Sequence, residues 1–142
     1  MSTDEKIILV ADDDLDDQEL LEEVFLDIEK DALIHTVSSA REALEYLRNC
    51  MPTSLPCLII LDYNMPDLTG AQLTEMIAQN KSYKHIPILV WSTSNSAVYK
   101  KECEEKGAKH YFYKPHDFVE VVEMAKQMLS YCGENKERLR SA

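Results

Sequence analysis

Polar side chains that could do chemistry follow four separate apolar stretches of this sequence. A short run of large apolar residues comes before each of Asp12-Asp13, Asp62, Ser92 and Lys114. Such a run is typical of a strand buried on both faces, as in a parallel sheet covered by helices. Because the carboxyl ends of parallel strands lie at one edge of the sheet, we expect these side chains to meet there.

The residue types in this set suit a divalent cation and a phosphoryl group. Three clustered carboxylates (Asp12, Asp13 and Asp62) repel one another unless a cation neutralises them, and oxygen ligands with open water positions suit Mg²⁺. The Lys114 ammonium and the Ser92 hydroxyl would suit the remaining phosphoryl oxygens. The set therefore predicts magnesium-assisted phosphoryl transfer with one carboxylate as the nucleophile. Taken alone, each residue would only be a turn or cap residue.

Strand-like and helix-like segments alternate along the chain. The predicted strands cover 7–11, 32–37, 58–61, 87–91 and 111–113, and the predicted helices start at 15, 39, 71, 97 and 117. This alternation predicts an α/β fold: a doubly wound, five-stranded parallel sheet with five helices, similar to flavodoxin. The strand order 2-1-3-4-5 places strands 1 and 3 side by side at the topological switch point.

The sequence predicts one domain over 1–142, with a core of about 6–131 and a polar tail at 133–142. Apolar spacing in the third helix points Leu73, Met76 and Ile77 inward. The apolar positions of the last helix are Val119, Val122, Met124, Ala125 and Leu129. Gly107 is expected to end the fourth helix.

Composition excludes several classes of function. The formal net charge is −11, from 26 acidic and 15 basic residues, which argues against binding to nucleic acid or to an anionic membrane surface. No apolar run is long enough to span a bilayer or to act as a signal peptide, so we expect a cytoplasmic protein. The four cysteines have no metal-ligand spacing and are expected to be reduced thiols: Cys50, Cys57, Cys103 and Cys132.

Taken as an ordered set, the motifs closely resemble the receiver domain of two-component response regulators, as in the single-domain chemotaxis regulator. The residues that carry the resemblance are Asp12-Asp13, Asp62-Tyr63-Asn64-Met65-Pro66, Gly70, Ser92, Gly107-Ala108, Tyr111 and Lys114-Pro115. The resemblance extends from about 6 to 131. It implies a signalling protein of a phosphorelay that catalyses its own phosphorylation and dephosphorylation, not an enzyme that turns over a substrate.

The resemblance also implies a role for each site residue. Asp62 would accept a phosphoryl group from a phosphohistidine. Asp13 would bind Mg²⁺ directly, together with Asp62 and the backbone carbonyl of Asn64, and Asp12 would bind it through water. Lys114 would pair with Asp62 before phosphorylation and with the phosphoryl oxygens afterwards. The resemblance also implies that the Lys114–Pro115 peptide bond is cis.

Signalling would then depend on a switch beside the phosphorylated carboxylate. The resemblance implies that the Ser92 hydroxyl moves to the phosphoryl group and that Tyr111 turns inward with it. The implied phosphodonor is a sensor histidine kinase or a histidine phosphotransfer protein. The fourth helix, fifth strand and fifth helix would form the face that binds partners or a second copy, and no DNA-binding output domain is expected.

Three other readings compete with this one. Asp12, Asp14, Asp16 and Glu23 fall at positions of an EF-hand loop, but Asp17 stands where that loop needs glycine. A haloacid-dehalogenase-type phosphatase would need a second aspartate two residues after Asp62, where this chain has asparagine. A degenerate receiver would act by binding alone, although here every functional group is present.

Overall fold

The predicted strands form one parallel sheet in the computed structural model, which describes residues 6–132. The sheet order is β2-β1-β3-β4-β5, and every neighbouring pair of strands is parallel. The predicted order 2-1-3-4-5 is therefore confirmed. The strands are β1 (Ile7–Ala11), β2 (Leu33–Val37), β3 (Leu58–Asp62), β4 (Ile88–Ser92) and β5 (His110–Tyr113).

Five α-helices connect and follow the strands, with a short 3-10 helix at Pro52–Ser54. The helices are α1 (Leu15–Ile28), α2 (Ala40–Asn49), α3 (Gly70–Ala78), α4 (Ala97–Lys106) and α5 (Phe118–Ser130). Each begins after an Asp, Ser or Thr whose side chain accepts a hydrogen bond from a backbone N–H of the first turn. Gly107, with φ 122°, ends α4 as predicted.

Apolar side chains are buried on both faces of the sheet. Alternate strand residues such as Leu9, Ile59 and Val90 pack against α2, α3 and α4. Their neighbours, among them Ile8 and Ile60, pack against α1 and α5 on the other face. Because the central strands are buried on both faces, their sequences are continuous apolar runs with polar residues only at the ends.

One predicted inward position, Met76, is wrong, and one predicted apolar position of the last helix, Val119, lies outside the core. The Met76 side chain in α3 is 49% exposed, and Val119 in α5 is 71% exposed. In α5 the buried stripe starts at Val121 and recurs at helical spacing through Met124, Ala125, Met128 and Leu129, which leaves Val119 on the outer side of the first turn. The rotation of each helix about its own axis is thus set by its packing on the sheet.

The prediction of a cis bond before Pro115 is also wrong, because no peptide bond within residues 6–132 is cis. The trans form is the more stable state of an X-Pro bond unless the surrounding structure selects cis. The predicted polar tail at 133–142 lies outside the described residues. Within the described part, no helix is long and apolar enough to cross a membrane.

A disulfide corrects the expectation of four reduced cysteines. Cys57 and Cys132 are bonded, with their Cα atoms 5.1 Å apart, whereas Cys50 and Cys103 are free thiols. Cys57 directly precedes β3, and Cys132 follows α5, which runs back across the sheet to that edge. The two residues are separated by 75 positions, so their proximity depends on the whole fold and is invisible in local spacing.

Candidate functional site

Three carboxylates meet at the carboxyl ends of β1 and β3. Asp12 follows β1 directly and is fully buried, Asp62 is the last residue of β3 and is 5% exposed, and Asp13 is exposed. One oxygen of each carboxylate lies within 4.8 Å of one oxygen of the other two. The sheet order brings these residues together because β1 and β3 are hydrogen-bonded neighbours. The predicted acidic pocket thus has the geometry of a cation site.

The electrostatics of the pocket favour a bound cation. Burial is the largest influence on Asp62, followed by the charge of Asp12, and together they raise its pKa to about 7 despite the opposing effect of Lys114. Burial likewise raises the pKa of Asp12. A divalent cation would offset this desolvation and repulsion, so the donor set fits Mg²⁺, which binds through carboxylate oxygens.

Lys114 lies between carboxylates from two parts of the chain. Its Nζ is 3.0 Å from Asp12 Oδ2, 2.8 Å from Asp17 Oδ2 and 3.5 Å from Asp62 Oδ1. Burial lowers the pKa of Lys114, but the neighbouring carboxylates outweigh that effect and raise it, so the side chain stays charged. The ammonium also lies 4.6 Å from the centre of the buried Trp91 ring.

Hydrogen bonds hold the loop that follows β3 and Asp62 in a compact turn. The Gly70 N–H donates to the Tyr63 carbonyl at 2.7 Å, and the Asn64 N–H lies 3.4 Å from Asp62 Oδ1. Asp67 links this loop to α2. Its carboxylate accepts hydrogen bonds from the backbone N–H groups of Ala40 and Arg41, at 3.0 and 2.8 Å. These contacts hold the backbone around Asp62 and Asn64 in one arrangement.

Gly70→Ala is expected to destabilise the protein by about 2 kcal/mol, the usual size of an overpacking effect. An added Cβ would lie 2.8 Å from the Asp62 carbonyl oxygen and 3.0 Å from the Tyr63 Cα. Both are backbone atoms, so the loop itself would have to shift. Urea unfolding followed by circular dichroism measures the loss, and an unchanged midpoint would contradict this account.

Ser92 and Tyr111 lie on the neighbouring strands β4 and β5. Ser92 ends β4 and is fully buried, and its Oγ accepts a hydrogen bond from the Ser94 N–H at 3.0 Å. The Tyr111 ring, on β5, is 6% exposed, and its hydroxyl donates to the Ser94 carbonyl at 2.7 Å. Tyr111 is therefore already turned inward in this structure, and both residues contact the same segment after β4.

Sequence reasoning missed two contacts of this region. The first is that of Asp17, in the first turn of α1, whose carboxylate pairs with Lys114. One signal was available, since side chains of a first helical turn lean back toward the helix start, here the pocket. The second contact is that of Tyr63, whose ring stacks on Tyr99 with centroids 4.1 Å apart and whose hydroxyl donates to Glu102 at 2.7 Å. Nothing in the local sequence predicts that contact between the loop and α4.

The sheet order and the acidic pocket at its switch point are those of a doubly wound α/β fold with a ligand site at the carboxyl ends of its strands. Residues 8–126 match the family described as the response regulator receiver domain. The chain belongs to this family, and the predicted resemblance is confirmed.

Three known proteins that are similar to this chain are described as response regulators. The two-component response regulator ARR8 of Arabidopsis thaliana is 28% identical over 91% of this chain, which spans 64% of that relative's length. A solved structure of the phosphorylated cyanobacterial phytochrome response regulator RcpA has a TM-score of 0.80 at 25% identity, covering 89% of this chain and 93% of that one. The Mn²⁺-bound form of response regulator Rcp1 has a TM-score of 0.77 at 26% identity, covering 88% and 92%.

Proposed function

We propose that this protein is a response regulator of a phosphorelay in which Asp62 is the phosphoacceptor. The observation that carries the proposal is the convergence of three carboxylates, Lys114 and Ser92 at the carboxyl edge of β1, β3, β4 and β5. Asp62 has the position of a nucleophile, at the end of a central strand with Lys114 beside it. Similarity to a regulator solved in a phosphorylated form supports the same role.

In the proposed reaction, a carboxylate oxygen of Asp62 attacks the phosphorus of a phosphohistidine. The new P–O bond forms as the P–N bond breaks, and the electron pair of that bond returns to the imidazole of the donor. The product is an acyl phosphate on Asp62. Water reverses the state by attacking the phosphorus, which releases inorganic phosphate and restores the carboxylate. Throughout both steps Lys114 would neutralise charge on the phosphoryl oxygens.

Asp12, Asp13, Asp62 and the backbone carbonyl of Asn64 are the residues that we assign to a Mg²⁺ site. A bound Mg²⁺ supplies charge neutralisation for the phosphoryl oxygens and favours the ionised Asp62 carboxylate. Asp62 needs this help because its pKa is raised to about 7 in the metal-free pocket. Similarity to a regulator solved with Mn²⁺ supports a divalent cation here.

We assign the readout of phosphorylation to Ser92 and Tyr111. Ser92 is the last residue of β4, the strand next to β3, and its hydroxyl would donate a hydrogen bond to the phosphoryl oxygens on Asp62. That movement would break the hydrogen bond from the Ser94 N–H to Ser92 Oγ. The Ser94 carbonyl also accepts a hydrogen bond from the Tyr111 hydroxyl. Displacement of the segment after β4 would thus be passed to Tyr111 and α4.

We infer that the partner surface is the face of α4, β5 and α5. Several apolar side chains there are solvent-exposed: Val98 by 74%, Tyr113 by 41% and Val119 by 71%. The partners that fit are a sensor histidine kinase or a histidine phosphotransfer protein as phosphodonor, and a second copy of this chain as a dimer. Nucleic acid does not fit a formal net charge of −11. A cytoplasmic location, predicted from the sequence, remains part of this proposal.

Intact mass spectrometry after incubation with acetyl phosphate and Mg²⁺ tests the proposal. The wild type is expected to gain one phosphoryl group, and the gain should be lost with EDTA and in Asp62→Asn. Trp91 is the single tryptophan and lies beside Lys114, so its fluorescence should change in step.

Asp31→Asn is the matched control, because it removes the same charge from an exposed turn and should be phosphorylated like the wild type. A folded wild type that binds Mg²⁺ but gains no phosphoryl group would overturn the proposal in favour of a module that acts by binding alone. Phosphorylation that persists in Asp62→Asn would place the acceptor elsewhere.

A further inference from the structure

An acidic side chain outside the three-carboxylate pocket makes the shortest contact with Lys114. Asp17 Oδ2 lies 2.8 Å from Lys114 Nζ, compared with 3.0 Å for Asp12 and 3.5 Å for Asp62. Asp17 belongs to α1 and is not at the end of a strand. Its side chain is 26% exposed, whereas that of Lys114 is 9% exposed. The lysine is therefore held closer to α1 than to the proposed phosphoacceptor.

Asp17 is fixed in place by its surroundings. Its N–H donates to the Asp14 carboxylate that caps α1. The next residue, Gln18, donates from Nε2 to the carbonyls of Asp12 and Val37, which ties this helical turn to the ends of β1 and β2. Because α1 is anchored at this point, the backbone of Asp17 stays next to the ends of β1 and β2. Movement of the ammonium toward a phosphoryl group would lengthen the Asp17 contact.

The net negative charge of the site means that the ion pair between Asp17 and Lys114 disfavours a phosphoryl group on Asp62. Asp12, Asp13, Asp17 and Asp62 carry four negative charges when ionised, and Lys114 carries one positive charge. A bound Mg²⁺ leaves a net charge of about −1, and a phosphoryl group on Asp62 makes it more negative still, since a phosphate carries roughly −1.5 to −2. Asp17 adds repulsion and competes for the one lysine that could offset it.

We propose that Asp17 is a positioning residue that holds Lys114 in the unphosphorylated state and limits how tightly the pocket holds a phosphoryl group. This inference rests on the proposed function, because it assumes that the phosphoryl group is carried by Asp62. Removing the Asp17 charge would release Lys114 to the phosphoryl oxygens. Removing that charge would also take one favourable interaction away from a bound cation.

Beryllofluoride, which mimics a phosphoryl group on a carboxylate, tests the proposal when it is titrated at saturating Mg²⁺ with Trp91 fluorescence as the signal. Asp17→Asn is expected to bind beryllofluoride about tenfold more tightly than the wild type, the scale of one nearby charge at partial burial. The same variant is expected to bind Mg²⁺ alone less tightly than the wild type, because the cation loses one nearby negative charge. Opposite signs for the two ligands separate positioning from a general loosening of the pocket, which would weaken both.

Two variants control for charge and for helix structure. Asp16→Asn makes the same charge change one residue earlier, on an exposed side chain, and should leave beryllofluoride affinity near that of the wild type. Asp17→Glu keeps the charge and should also stay near the wild type, so a gain shared by Asp17→Glu would overturn the proposal. Equal or weaker beryllofluoride binding in Asp17→Asn, beside a wild type that binds, would overturn the role of Asp17 and leave that of Asp62 intact. A wild type that binds no beryllofluoride and accepts no phosphoryl group would overturn both.

Discussion

Asp62→Asn is expected to raise the free energy of unfolding of the metal-free protein by about 4 kcal/mol at about pH 8. The wild-type carboxylate is 5% exposed and close to the charge of Asp12, and its pKa is raised from 3.8 to about 7. Above pH 7 the folded protein must hold a buried, repelled charge that the unfolded chain solvates freely. An asparagine of nearly the same shape carries no charge, so it removes that cost.

The pH dependence of this effect follows from the direction of the pKa shift. Between about pH 4 and pH 7 the folded wild type keeps a proton on Asp62 that the unfolded chain has lost. Wild-type stability from this group therefore falls as the pH rises through that window and stays low above it. The advantage of Asp62→Asn should be absent at about pH 4 and should grow toward pH 7.

Urea unfolding in EDTA over this pH range measures the effect, and Asp31→Asn controls for the loss of one exposed negative charge. Saturating Mg²⁺ should shrink the advantage, because the cation stabilises the wild-type carboxylates and the variant has lost one of them. A variant no more stable than the wild type in EDTA at about pH 8 would mean that the pocket does not penalise the ionised carboxylate.

Most of the site could be predicted because the fold leaves little choice about where its polar residues go. β3 is packed between helices on both faces of the sheet from Leu58 to Leu61, so a polar side chain fits only at its carboxyl end, where Asp62 lies in the acidic pocket. The same holds for Asp12 after β1 and Ser92 at the end of β4. Strict alternation of strands and helices then fixes which edge these ends share. A local pattern is enough for each of these steps.

The remainder depends on contacts between distant side chains. Nothing in the order of residues shows that Lys114 lies closer to Asp17 than to Asp62, since the difference is set by how the first turn of α1 docks on β1 and β2. The exposure of Val119 follows from the rotation of α5 on the sheet. Such features are decided by tertiary packing after the elements have formed, and sequence spacing carries little information about them.

The disulfide was not predicted from the sequence either. Of the features that the sequence missed, we expect it to have the largest effect on stability. It closes a loop of 75 residues between the start of β3 and the end of α5. In the chain-entropy account, a crosslink over a loop of that length stabilises the folded state by about 4 kcal/mol, because it restricts the unfolded chain. Reduction with a dithiol, or the double variant Cys57→Ser/Cys132→Ser, should lower the free energy of unfolding by about this amount.

Urea unfolding with and without the dithiol measures the loss, and a count of free thiols on the unfolded protein checks the bond itself. Cys50→Ser is the matched control, because Cys50 is a free, partly buried thiol and its replacement should leave the effect of the dithiol intact. The double variant should be insensitive to the dithiol. Four free thiols before reduction, with unchanged stability after it, would mean that Cys57 and Cys132 are only close neighbours. The proposed phosphorylation of Asp62 should survive reduction as long as the protein stays folded, since the disulfide lies at the opposite edge of the sheet from the acidic pocket.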